Sequence, residues 1–151
     1  MGLRSEINTR IVRFRNYREP QFTEMALAIR HEVFVKGQNV DPAIEYEHEE
    51  ESRHYLLFID EKPAATARWR ETESGIKLER FATLEEYRNR GFGAALLKEI
   101  LNDIIPLNKK IYLHSQLTAV KFYERYGFVK EGDIFYEANI GHYKMTRPDH
   151  P

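Results

Sequence analysis

The chain has no cysteine, which removes disulfides, thiolate metal sites and a cysteine nucleophile from consideration together. It also has no long hydrophobic run. None approaches the roughly 18 apolar residues that a membrane helix requires. The start, Met1 to Arg10, is polar and lacks the apolar stretch of a secretory leader, so a cytoplasmic protein is the expectation, without a membrane partner. Charge of one sign is missing as well. The formal net charge is -1 and the basic residues are dispersed, which argues against a nucleic-acid binder needing a broad basic face. Low-complexity tracts, internal repeats and dividing linkers are not evident either. The 151 residues, 42% of them hydrophobic, therefore fit one domain spanning 1–151 with one sizeable core.

Periodicity supplies the elements. Arg10 to Arg15 reads as a short strand, and Thr23 is placed to cap a helix running to Val35, with Met25, Ile29 and Val33 on one face. Lys36 to Ser52 is rich in Gly, Asn, Pro and acids and reads as loop with at most a short helical turn. Three strands follow with short connections, His54–Ile59, Ala64–Arg70 and Ile76–Leu84, a pattern that favours an antiparallel meander. A strong amphipathic helix begins near Gly91, carries Phe92, Leu96, Ile100 and Ile104 along one stripe, and ends at Pro106 and Asn108. Lys110–His114 reads as a strand, Ala119–Tyr126 as a helix closed by Gly127, and Phe135–Glu137 and His142–Thr146 as the last strands. The mixed order predicts an α+β (or α/β) domain on a single central sheet.

Chemistry concentrates where the third strand meets the amphipathic helix, in Ala82-Thr83-Leu84-Glu85-Glu86-Tyr87-Arg88-Asn89-Arg90-Gly91-Phe92-Gly93-Ala94. The first N–H groups of a helix lack internal partners and that end is partly positive, so a pyrophosphate is at home there if the backbone can come close. Gly91 and Gly93 remove the obstructing Cβ atoms, while Arg88 and Arg90 add positive charge. The spacing is neither that of the Walker loop nor that of the dinucleotide fingerprint.

It is, however, R-x-x-G-x-G from Arg88 to Gly93, and in this the chain resembles the acetyl-CoA signature of the GNAT acetyltransferase superfamily. Phe122-Tyr123-Glu124-Arg125-Tyr126-Gly127-Phe128 resembles the end of the GNAT helix beside the thioester. Ile29–Val35, Leu113-His114-Ser115-Gln116 and Phe135–His142 resemble a narrower group, the ElaA-like and YjcF-like proteins. The chain departs from that group at Gly37, Asn139 and Gly141, all away from the phosphate loop.

The resemblance implies a GNAT fold, a mixed and mostly antiparallel sheet flanked by helices. It implies acetyl-CoA as co-substrate, no metal, and direct attack on the thioester by a primary amine of a small molecule or peptide. By analogy it implies a homodimer. Cofactor contacts then fall to Phe81, Ala82, Thr83 and Leu84 along the strand and to Arg88, Asn89, Arg90, Gly91, Phe92, Gly93 and Ala94 in the loop. A backbone N–H of the strand would polarise the carbonyl. Tyr123 is the candidate acid for the thiolate, its plainer role being packing between Phe122 and Tyr126. Glu79 is the candidate base. Alternation places it with Lys77 and Phe81 on one face, and its plainer role is a solvated glutamate or a partner for Arg80. Glu32, His114, Gln116, Glu137 and His142 are weaker candidates for acceptor contacts. The acidic run Glu45, Glu47, Glu49, Glu50 and Glu51 would favour a cationic amine if it lined the entrance, and is otherwise a solvated loop. Two other readings compete: a non-catalytic CoA-binding module, and an acyltransferase resembling the acyl-homoserine-lactone synthases, whose helix Arg30-His31-Glu32-Val33-Phe34 resembles.

Overall fold

The computed structural model describes residues 7–16 and 18–148; most of the polar start read as lacking a leader lies outside them. Seven strands form one sheet: β1 (Thr9–Phe14), β2 (Arg53–Ile59), β3 (Lys62–Thr72), β4 (Gly75–Thr83), β5 (Ile111–Gln116), β6 (Val129–Glu137) and β7 (Ile140–Thr146). Their order across the sheet is β1-β2-β3-β4-β5-β7-β6. Every neighbouring pair is antiparallel except β4 and β5, which are parallel and joined by a helical crossover. The meander expected from the short connections is β2-β3-β4. Its strands, and the last two, extend beyond the expected limits because cross-strand pairing continues through polar residues that periodicity does not mark.

The helices are α1 (Pro20–Arg30), α2 (Pro42–Glu45), α3 (Phe92–Ile104) and α4 (Val120–Glu124). β2 shows how they divide between the faces. Tyr55, Leu57 and Ile59 join the core under α3 and α4, with Leu96, Leu97, Ile100, Ile104 and Val120. Leu56 and Phe58 join the smaller core under α1, with Phe14, Ala26, Ile29 and Val33. Period-two alternation thus gives a strand buried on both faces.

Three expectations need correction. Thr23 does not cap α1: the helix starts at Pro20, a residue suited to the first turn because it lacks an N–H, and the Thr23 hydroxyl donates to Asn16 O (3.1 Å) and Glu19 O (3.3 Å). The end of that helix is a π-helical turn, His31–Lys36. The third correction concerns β4. Arg80 has φ of 59°, and the register with β3 shifts between Thr66 and Arg68, so a bulge interrupts the alternation. Phe81 therefore packs on the α3 side with Ile76 and Leu78, while Ala82 packs on the α1 side. Glu79 keeps Lys77 as a face-mate but not Phe81.

Candidate active site

β4 and β5 pair only over Ile76–Leu78 and Ile111–Leu113, although β4 continues to Thr83 and β5 to Gln116. Beyond that point the strands part in a V, leaving an edge of β4 without a ladder partner on that side. Such backbone groups need partners, and an extended amide-bearing arm could supply them. The V opens into a cleft of about 1260 Å³ that runs from the π-helical turn past the bulge to the start of α3.

At the far end lies the loop expected to hold phosphates. Gly91 has φ of 86°, a left-handed conformation that strains any residue bearing a Cβ, and a Cβ there would meet nothing within 4 Å. A Cβ on Gly93 would make only ordinary contact with Phe122, at 3.9 Å. Internal packing does not require either position to lack a side chain, and both leave the backbone open to the cleft. Ala95 N–H bonds Gly91 O at 3.1 Å, while the N–H groups of the first helical turn have no intrahelical acceptor. Arg88 folds across the loop, donating from Nε to Thr83 O at 3.0 Å. The cradle fits a pyrophosphate.

Of the residues expected there, Phe81, Ala82, Thr83, Arg88, Asn89, Gly91, Phe92, Gly93 and Ala94 line the cleft. Leu84 and Arg90 do not: Leu84 packs against the α1-side core, and the Arg90 guanidinium lies 5.6 Å from the Phe92 ring centre. Tyr87, Phe122 and Arg125 line it too. All three lie inside the two segments that carry the resemblance, but the resemblance assigns them no role there.

Tyr123 lines the cleft from the α4 side, in edge contact with Phe81 at 5.9 Å and with Phe122 at 5.0 Å. Packing and cleft exposure coexist. Burial pushes its phenol well above the ordinary value of 10, so it stays protonated throughout the neutral range.

Glu79 is buried among cations. Its carboxylate accepts from Arg68 Nε (3.1 Å) and Arg70 Nε (2.9 Å), and Lys77 Nζ lies 3.2 Å away. Burial alone would raise this carboxyl, but Arg68, Arg70, Lys77 and Arg80 outweigh it and hold it far below the ordinary carboxylate range. A carboxylate so stabilised is a poor proton acceptor.

Across the V, Leu113 faces the α3-side core, so its neighbours His114 and Tyr112 face the other way. His114 Nδ1 and Glu137 Oε2 are hydrogen-bonded at 3.0 Å, and His142 Nε2 lies 4.0 Å from Glu137 Oε1. Phe135 is sandwiched between the two imidazoles, 4.9 and 5.8 Å away. The bond with His114 lowers the Glu137 carboxyl below its ordinary value, against the opposing effect of burial, and the nearby charges of His114, Lys77 and His142 add to this. All three candidates line the cleft. Gln116 does as well, and its amide exchanges hydrogen bonds with that of Gln38, at 2.9 and 3.3 Å, across the mouth. Glu32 is apart from them, on the surface with Lys36 at 3.1 Å.

The acidic run is not one solvated stretch. Glu45 is buried, accepting from Arg30 Nε at 2.6 Å, and Glu49 pairs with both Arg30 and Arg68. Glu51 pairs with His48 at 2.7 Å. Two of these acids thus pair with buried arginines of α1 and β3, while Glu45 and Glu47 also line the cleft. Among the described residues no group of three or more His, Asp or Glu is placed to hold a metal, and no helix is long and apolar enough to cross a membrane.

Comparison with known proteins agrees with this geometry. The family model described as Acetyltransferase (GNAT) domain matches residues 16–147. The uncharacterised N-acetyltransferase YjcF of Bacillus subtilis (strain 168) is 34% identical over 125 residues, covering 81% of this chain and 89% of that protein. Escherichia coli ElaA superposes with a TM-score of 0.81 at 23% identity, over 91% of this chain and 99% of that one. A GNAT family acetyltransferase from Elizabethkingia anophelis, solved with acetyl-CoA bound, gives 0.67 at 14% identity, over 92% and 95%. At these identities the two structures speak for the fold.

Proposed function

This chain belongs to the GNAT acetyltransferase family, among the YjcF-like and ElaA-like proteins, and from that premise we propose that it transfers the acetyl group of acetyl-CoA to a primary amine of a small molecule or peptide by direct attack. The observation that carries the reading is the V between β4 and β5, which ends at a glycine-lined helix start. Acetyl-CoA supplies the activated acyl group. The backbone of Gly91 to Ala94 and the side chain of Arg88 would hold its phosphates, and the unpaired edge from Phe81 to Thr83 its amide-bearing arm.

The two faces of the sheet then take different proton tasks. As the bond from nitrogen to the acetyl carbon forms and the carbon–sulfur bond breaks, one proton must leave the amine and one must reach the sulfur. Tyr123, protonated and on the α4 side, donates toward the sulfur. On the α1 side, His114, oriented by Glu137, accepts from the amine directly or through water. We assign Glu79 to organising Arg68, Arg70 and Lys77, because its carboxylate is too strongly stabilised to take a proton near neutral pH.

Tyr123→Phe tests the assignment. Acetyl transfer to a responsive amine should fall by roughly 10²–10⁴-fold while acetyl-CoA affinity stays within about twofold. Unchanged turnover would remove Tyr123 from the chemistry. Binding without turnover over a broad amine panel would favour a CoA-binding module.

A further inference from the structure

Beneath and along the cleft beyond the V, five cations share a smaller number of close carboxylates. Arg30, Arg68, Arg70, Lys77 and Arg80 form one connected set with only three carboxylates, Glu45, Glu49 and Glu79. The inner carboxylates are shared: Glu49 serves Arg30 and Arg68, and Glu79 serves Arg68, Arg70 and Lys77. For Arg70 and Lys77, Glu79 is the one carboxylate within ion-pair distance among the described residues. Both line the cleft, with side chains 14% exposed, so they are shielded from bulk water but reachable from the cavity.

Two cations that share one close carboxylate in such a place keep donors for a further anion. The phosphates of acetyl-CoA are not that partner. Lys77 is six residues before Thr83 on an extended strand, about 20 Å of rise, and the phosphate loop begins beyond Thr83. The anion must enter from the acceptor side.

The position of these cations relative to the proton acceptor defines what enters. Arg70, Lys77 and Tyr112 are directly paired across β3, β4 and β5, so their side chains share the face away from α3. His114 follows Tyr112 by two residues on the same face, with Glu137 bonded to it. One strand spacing, about 4.8 Å, separates Lys77 from Tyr112 in the paired part of β4 and β5, and His114 lies just beyond it, where the strands begin to part. Lys77 and Glu137 line the same cleft. One wall thus offers a carboxylate and an imidazole to an ammonium, and the adjoining wall offers an ammonium and a guanidinium to an anion.

We infer that the acceptor is a zwitterion, a primary amine bearing a carboxylate a few bonds away, with the carboxylate held by Arg70 and Lys77 and the amine presented to His114 and Glu137. An α-, β- or γ-amino acid, free or as an acidic terminus, has that form; a polyamine or amino sugar does not. The inference rests on the transferase reading above and narrows it.

The test uses the full chain with saturating acetyl-CoA and matched acceptors: glycine, alanine, aspartate, glutamate, β-alanine and 4-aminobutyrate, each beside its carboxamide. Charge-assisted hydrogen bonds predict kcat/KM roughly 10- to 100-fold higher for the carboxylate member of at least one pair. Lys77→Gln leaves Glu79 with Arg68 and Arg70, so the fold should hold, as circular dichroism and acetyl-CoA affinity will verify. Its carboxylate preference should collapse toward unity through a rise in KM, with turnover of the carboxamide little changed. Equal rates within every pair, or faster carboxamides, overturn the inference and leave the transferase reading intact. A preference that survives in Lys77→Gln and in Arg70→Gln overturns the assignment to these side chains. Acetyl-CoA binding with no member acetylated overturns the inference; only the failure of a broad panel that adds polyamines, amino sugars and peptides contradicts the transferase reading as well.

Discussion

Replacing Glu79 with glutamine separates two roles that one residue type could serve. If Glu79 organises the cation cluster, its loss leaves Arg68, which is 1% exposed, facing Glu49 alone, and leaves Arg70 and Lys77 without a carboxylate. Breaking a buried ion pair from one side costs about 3–5 kcal/mol, because the remaining charges keep their desolvation penalty. For a domain of this size each kcal/mol is roughly 2–4 °C in Tm, so the fall should be about 10 °C. Urea unfolding should show the same loss as a lower midpoint with an unchanged slope. The pH dependence gives a second readout. Folding lowers this carboxyl from its ordinary 4.5, so its stabilisation is fully present above that value and is lost as pH falls toward the folded value. Wild type should lose stability progressively below about pH 4.5, and Glu79→Gln should show a flatter curve there. A variant whose Tm stays within about 2 °C of wild type, with turnover reduced a hundredfold or more, would refute this reasoning and make Glu79 the base.

Two further outcomes follow from the same geometry. His114→Gln should lower kcat by roughly 10²-fold or more with acetyl-CoA affinity unchanged, measured by steady-state kinetics and calorimetry on one preparation. Gly75→Ala should destabilise the β3–β4 hairpin, since φ is 134° and a Cβ there would lie 2.3 Å from Lys110 O; a Tm lower by several degrees, roughly 1–3 kcal/mol, is expected from thermal unfolding.

The parts of this molecule legible in the sequence are the local ones. The glycine-lined start of α3 could be read because glycine spacing, two arginines and the start of an apolar stripe occupy a few consecutive residues, from Arg88 to Leu96. The β2-β3-β4 meander could be read from short polar connections. What alternation cannot register is a bulge: one left-handed residue, Arg80, separates Phe81 from the face of Glu79 without any change in composition. The acidic run from Glu45 to Glu51 resembles a solvated loop because its partners, Arg30 and Arg68, lie 15 and 19 residues from the acids they bond, on other elements. Burial of an ion pair is a tertiary fact with no periodic signature. The His114–Glu137 pair was legible only as two separate polar residues, since β7 inserts between β5 and β6, pairing with both, and the contact joins positions 23 apart.

The central claim is that the glycine-lined start of α3 receives the phosphates of acetyl-CoA, and calorimetric titration addresses it most directly. Wild type is compared with Gly91→Glu, which puts bulk and negative charge into the cradle, and with Gly91→Ala, which carries the same backbone strain without the charge. Saturable binding by wild type, weakened binding by Gly91→Ala, and none by a Gly91→Glu chain whose thermal unfolding remains cooperative are the expected results. A folded wild type that takes up no acetyl-CoA, or a Gly91→Glu chain that binds it as wild type does, would contradict the account.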